Sequence, residues 1–355
     1  MVPSPDIPKV QKAVVVDKFG DDFKVKVVDD YPVPEPGQGE VLVRLTSSGV
    51  CHSDLAVAKN YLGQNATTKI LGHEGSGYIV KHGEGVDAER HPIGEKVGVP
   101  LISGACHDCE NCEHDEVYCK NNKGFYGSYI DGTWQQYIIV RANMIVRVPE
   151  GADTTIVGPI LCGGVTVYKA LKRAGLTAGS WVVITGAGGG LGSLAIQYAT
   201  AMGLRPIAID TGADKEKLVK KLGAEVFVDF AKDNIIEKIN EVTGGGAHGA
   251  IMIAPVVQVY SMSVAYVRNH GTIVCVGLPK AGQKMEFEPA AFIFKALKLV
   301  GTLVGNRQDC REALDFMARG KVTPAVEKHK MEDIQEILNR MQAGDLPGRA
   351  VIDLE

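Results

Sequence analysis

The segment WVVITGAGGGLGSLAIQYATAMG, residues 181–203, constrains the fold more than any other stretch. It opens with a β-branched apolar run suited to a buried strand, passes through a glycine cluster, and continues with the apolar spacing of a helix. Gly186, Gly189 and Gly192 are spaced G-x-x-G-x-x-G, one residue longer than the common G-x-G-x-x-G. With no Cβ in the way, such a turn lets the backbone approach a pyrophosphate, and the N-terminus of the following helix meets its charge. The next strand, PIAID, ends on Asp210, 18 residues after Gly192. A carboxylate there can accept both ribose hydroxyls and repels a 2′-phosphate. No arginine follows it in TGADK, so NAD is favoured over NADP.

The rest of the chain divides around this unit. WVVIT, PIAID, VFVDF, GAIMIA and GTIVCVG alternate with helical stretches such as DKEKLVKKLG, the pattern of a doubly wound parallel sheet. Before it, KAVVV, KVKVV, EVLVRL and GSGYIV are short strands divided by Gly and Pro turns, so residues 11–160 read as β-rich. After residue 303 come two helices, CREALDFMARG and MEDIQEILNRM, and a last strand, RAVIDL. A chain of 355 residues has length for two domains.

Apolar residues make up 45% and charged residues 23%, as in a soluble globular protein, and a net charge of −4 gives no case for nucleic-acid binding. No apolar run reaches the roughly 18 residues that span a bilayer. The N-terminus, MVPSPDIPKVQKAVVV, lacks a basic region followed by a long apolar core, so a cytoplasmic location is expected. In a reducing compartment, eight cysteines suggest metal or catalysis before disulfides.

CHDCENCEHDEVYC places Cys106, Cys109, Cys112 and Cys119 within 14 residues. Four thiolates at such spacing close a tetrahedral shell and leave no position for water, the pattern of a structural zinc. His107 and His114 are interleaved but superfluous once four sulfurs are present. Of the other four cysteines, Cys275 lies in a strand and Cys310 near a helix start, both as packed residues. Cys51 sits in the polar loop GVCHSD, LGHEGSG supplies His73 and Glu74, and PILCGG supplies Cys162. Two cysteines and a histidine make an open zinc site whose fourth position is left for water or substrate.

These motifs, together with DGTWQQY, PILCGGVTVYKALK, GTIVCVGLP, GNRQDCREALDFMARG and GRAVID, run in order through nearly the whole chain. The chain resembles the medium-chain zinc alcohol dehydrogenases, most closely the tetrameric fungal ones. The resemblance implies an α/β protein with a GroES-like β-rich catalytic domain in two segments, residues 1–162 and 303–355. Those segments flank a Rossmann-type NAD-binding domain, residues 163–302, with the site in the cleft. It implies two zinc ions per chain, the catalytic one on Cys51, His73 and Cys162, with Glu74 as a carboxylate able to approach it. Asp54 would hold the other nitrogen of His73, and Ser53 would first take the alcohol proton. His52 and Arg349 would face the pyrophosphate. Gly189, Gly190 and Leu191 would line the turn, and Asp210 and Lys215 would hold the adenosine ribose. Val276, Leu278, Thr302 and Val304 would wall the nicotinamide. A homotetramer is implied as well.

Three departures from that family stand out. Where the fungal enzymes end their proton relay on a histidine, this chain has Ala56. Six residues, where the family usually has seven, separate Cys112 from Cys119. Leu101 replaces the tryptophan usual five residues before the knuckle, and segment 57–70 lacks the family's tryptophans. Those aromatics narrow the pocket for ethanol, so a bulkier alcohol or carbonyl substrate, such as a secondary metabolite, is expected. A reductase of an activated double bond remains an alternative, since relatives do both. So does a nucleotide-binding homologue without turnover, which Ala56 alone favours.

Overall fold

The computed structural model describes residues 6–61 and 66–355. The chain forms two units, the first from Met1–Cys162, Gly305–Ala318 and Ala325–Glu355, the second from Gly163–Val304 and Arg319–Pro324.

The first unit is built on the strand Glu40–Val50. Its sequence EVLVRLTSSGV is buried along almost its whole length, as befits a strand covered on both faces. It pairs antiparallel with Gly75–His82, Tyr137–Arg141 and Arg349–Asp353. Val326–Lys330 continues the sheet beyond Arg349–Asp353, and Lys96–Gly98 and Val146–Arg147 extend it beyond Gly75–His82. A hairpin of Val10–Lys18 and Lys24–Pro32 contributes Ala13 and Val14 to the same core as Val41, Val43, Leu45, Ile79, Trp134, Ile138 and Ile352.

The second unit is a six-stranded sheet, every pair parallel. Its order is Val226–Asp229, Arg205–Asp210, Trp181–Thr185, Ala247–Met252, Val267–Cys275, Lys298–Gly301. The first of these six in the chain, Trp181–Thr185, lies in the middle; its successor pairs on one side and the fourth of them on the other. Strand order reverses at that point, which is where doubly wound sheets open a crevice for a nucleotide. The glycine turn leaves that strand's carboxyl end and enters the helix Gly190–Ala201.

One local reading changes. HSDLAVA is a helix, His52–Ala58, rather than a loop, and Cys51 is its N-cap. ILCGG, which carries Cys162, is a π-helical turn, Ile160–Gly164, running directly into the helix Val165–Arg173. No helix among the described residues is long and apolar enough to cross a membrane. The start of the proline-rich N-terminus, residues 1–5, and residues 62–65 of the tryptophan-free segment lie outside the described residues.

Candidate active site and metal centres

Strand Glu40–Val50 delivers Cys51 at its end, and helix His52–Ala58 turns away from it. His73 and Glu74 immediately precede strand Gly75–His82, which pairs with the first. Arg349 begins the strand that pairs on its other side. Three neighbouring strand ends therefore converge, and the π-turn adds Cys162.

The ligand atoms of Cys51, His73, Glu74 and Cys162 all lie within 4.8 Å of one another. Tetrahedral zinc with Zn–S bonds of about 2.3 Å places two sulfurs about 3.8 Å apart. Here Cys51 Sγ and Cys162 Sγ are 3.9 Å apart, and His73 Nε2 is 3.3 Å from Cys162 Sγ. Cys51, His73 and Glu74 are buried and Cys162 partly so. One carboxylate oxygen of Glu74, Oε2, is buried without a hydrogen-bond partner. Thiolates, an imidazole and an orphaned carboxylate oxygen fit a divalent cation.

Cys51 and His73 are held from behind. Asp54, 2% exposed, faces His73 Nδ1 through Oδ1 at 2.9 Å, while its Oδ2 accepts the Cys51 amide at 2.8 Å. That fixes the imidazole proton on Nδ1 and frees Nε2 as a ligand. Ser53 Oγ donates to Cys51 Sγ at 3.1 Å. Gly49 makes room for Glu74, because a Cβ there would lie 1.9 Å from Glu74 Oε2.

The hydrogen bond with Cys162, helped by Arg349 and His73, holds the Cys51 thiol well below its ordinary pKa despite burial. Cys162 is pushed well up by the same bond and by burial. The two sulfurs thus divide one charge, and a dication can displace the shared proton. Burial pulls His73 down, but Asp54 and the Cys51 sulfur outweigh it and hold the imidazole well above its usual value.

Arg349 is 4% exposed, and its guanidinium pairs with Glu74 Oε1 and points Nη1 at Cys51 Sγ, 3.8 Å away. The family resemblance implies a pyrophosphate contact for this arginine and a place near the metal for Glu74; their mutual ion pair had no signature in either motif. His52, by contrast, is exposed at the first turn of its helix.

The other cysteine cluster is equally compact. Cys106–Cys112, Cys109–Cys112, Cys109–Cys119 and Cys119–Cys106 sulfur distances are 3.9, 3.6, 4.0 and 3.6 Å, bracketing the value for tetrahedral zinc. The shortened six-residue spacing is taken up by the helix Glu110–His114 and a single 3₁₀ turn, Glu116–Tyr118. His107 turns to Glu116, with Nδ1 3.6 Å from Oε2, and neither it nor His114 belongs to the cluster.

In the second unit, Gly186 takes φ +65°, Gly189 caps the helix, and Gly190, Leu191 and Gly192 form its first turn. A Cβ on Gly192 would lie 2.1 Å from the Gly186 carbonyl oxygen. Asp210 ends its strand beside the turn, and its Oδ1 pairs with Lys215 Nζ at 2.8 Å. Its Oδ2 accepts the Gly188 amide at 2.8 Å. The spacing argument passed over Gly188, although it lies in the same GAGGG run. Val276 and Thr302 are tied to neighbouring strands through the Met252 and Cys275 carbonyls. Val304 is buried and Leu278 is 70% exposed.

Comparison with known proteins gives the same picture. Residues 37–150 match the alcohol dehydrogenase GroES-like domain family and residues 190–319 the zinc-binding dehydrogenase family. The chain is 42% identical over 374 residues to alcohol dehydrogenase 2 of Emericella nidulans, covering 99% of each. It is similar in structure to acetophenone reductase from Geotrichum candidum in complex with NAD, with a TM-score of 0.83 and 27% identity over 98% of each chain. The alcohol dehydrogenase of the archaeon Aeropyrum pernix has a TM-score of 0.83 and 28% identity, over 97% of this chain and 99% of that one.

Proposed function

The chain belongs to the zinc-binding alcohol dehydrogenases, and from that membership we propose that it interconverts an alcohol and carbonyl bulkier than ethanol, using NAD(H). The observation that carries the reading is the convergence of Cys51, His73 and Cys162 with Asp54 behind the histidine.

Zinc, when bound, supplies a Lewis acid for the substrate oxygen, and NAD supplies the hydride acceptor. Everything else falls to the chain. Cys51, His73 and Cys162 hold the ion with two thiolates and a neutral imidazole, leaving a formally neutral centre with a place for substrate. Asp54 keeps the Nδ1 proton in place. Ser53 Oγ takes the alcohol proton and must pass it on, because an aliphatic hydroxyl is a relay rather than a base. Ala56 cannot receive it, so water is the next acceptor. Arg349 neutralises Glu74 and restrains its carboxylate beside the ligand sulfurs. Asp210 and Lys215 hold the adenosine ribose, and the turn of Gly186, Gly189, Gly190, Leu191 and Gly192 receives the pyrophosphate. Val276, Leu278, Thr302 and Val304 wall the nicotinamide.

Substrate size rests on Ala56, on Leu101, and on the chain's two tryptophans standing outside segment 57–70. A relative named for an aryl ketone, the acetophenone reductase, agrees with a roomy site. The deciding experiment is a panel of small and bulky alcohols and carbonyls run with NAD and with NADP. Higher kcat/KM on aryl or branched substrates with NAD is expected. Preference for ethanol would overturn the size assignment, and preference for NADP the reading of Asp210.

Self-association as a homo-oligomer, a tetramer by family resemblance, is supported by the free side of strand Lys298–Gly301. That strand ends its sheet, and the helix before it in the chain, Pro289–Lys295, carries Ile293 and Phe294, which are 74% and 84% exposed. An open edge with apolar neighbours suits a symmetric partner. All eight cysteines are free thiols, which accords with a cytoplasmic setting.

A further inference from the structure

The second unit holds a cavity of about 300 Å³ at the amino ends of its central strands. It is lined by Arg173, His248, Arg268, Asn269, His270 and Lys298, among others, and by no carboxylate. The glycine turn leaves the carboxyl end of strand Trp181–Thr185, whereas Ser180, just before that strand, lines the cavity. At about 3.3 Å per residue, the length of that strand separates the cavity from the coenzyme turn.

Three observations mark a site for an anion. Arg173, His270 and Lys298, all exposed, have no ion pair or hydrogen bond through their side chains among the described residues, so the rim of the cavity gathers cationic and donor groups with no carboxylate among them. Arg268 is fixed at the wall, donating from Nε to the Gly246 carbonyl at 2.6 Å and from Nη2 to the Thr243 carbonyl at 2.9 Å. No carboxylate pairs with it. Finally, His248 Nδ1 accepts the Trp181 amide at 2.9 Å, which places the neutral ring's proton on Nε2. Nε2 lies 2.9 Å from Arg268 Nη1, itself a donor. The two side chains thus stand together at the cavity wall, held by each other and by the backbone. Burial and Arg268 lower the His248 pKa, which keeps the ring neutral.

We propose that this cavity binds the phosphate group of a small phosphorylated metabolite, separately from the coenzyme. Fixed Arg268 and His248 present donors from the wall, and Arg173, His270 and Lys298 close on the charge from the rim. The volume is at the lower end of small-ligand pockets, enough for a phosphate with a short carbon skeleton.

Calorimetric titration of the full-length, zinc-loaded protein with inorganic phosphate and with glycerol 3-phosphate, each with and without saturating NAD, tests this. Saturable binding that persists under NAD is expected. Charge-assisted contacts of this kind predict that R173Q and K298Q each weaken it on the order of tenfold. H270N, which tolerates the left-handed φ of +65° at that position, should also weaken it. K24Q, which removes a lysine of the first unit, should leave it unchanged. Absence of saturable binding, displacement by NAD, or equal weakening by K24Q would each overturn the assignment. A tighter response to glycerol 3-phosphate than to inorganic phosphate identifies an organic phosphate as the ligand. Equal responses would overturn the metabolite assignment.

Discussion

Asp54 serves three groups with two oxygens: Oδ2 accepts the Cys51 amide, while Oδ1 meets the Gly72 amide and His73 Nδ1. Replacing it with asparagine leaves the size but removes the charge that steadies the imidazole. Asp54→Asn is expected to lower affinity at the catalytic zinc by roughly 10–100-fold, read by competition with a chelator. Ala56 lies on the same short helix. Ala56→His would give the Ser53 proton a second stop and should raise alcohol oxidation at and below neutral pH. An unchanged pH–rate profile would show that water already serves. Both residues were legible as types in CHSDLA, yet the pairing of Arg349 with Glu74 was not. It joins positions 275 residues apart, and no local pattern encodes that contact.

At the scale of elements, the cysteine lobe and the glycine turn behave differently. Between Cys106 and Cys119 the regular structure is the five-residue helix Glu110–His114 and one 3₁₀ turn, and the helix buries no side chain. Too short to propagate and without a core, it depends on the ion. Cys112→Ser should reduce zinc from two to one per chain and speed amide exchange in this lobe, with the second unit's exchange unaffected. The glycine turn is held by close backbone approach instead. A methyl at Gly192 would meet the Gly186 carbonyl, so Gly192→Ala should cost about 1–3 kcal/mol of stability, seen as a lower Tm, and weaken NAD binding. The turn was legible because strand, glycines and helix follow one another in the chain. The helix His52–Ala58 was not, because seven residues give too little periodicity to outweigh a polar start.

For the whole molecule, alternation of strand and helix made the parallel sheet readable, since each unit of that fold is local. The β-rich unit was readable only as a class. Its strand order brings residues 349–353 beside Glu40–Val50 and 326–330 beyond them, a long-range pairing that composition does not specify. The open edge at Lys298–Gly301 belongs to this scale too. Phe294→Glu should shift the protein towards smaller species in sedimentation velocity, with its zinc content unchanged.

The first unit's discontinuity also sets an order of events during synthesis. Cys51, His73 and Cys162 leave the ribosome before any of the second unit, whereas the strand that carries Arg349 emerges last. Until then residues Ser47–Val50 of the central strand lack one partner and Glu74 has no counter-ion. The second unit, nearly continuous in the chain, has most of what it needs to fold while the first still waits for its final strand. A nascent chain stalled after residue 340 should therefore resist protease across the parallel sheet and remain cleavable around the unfinished metal centre.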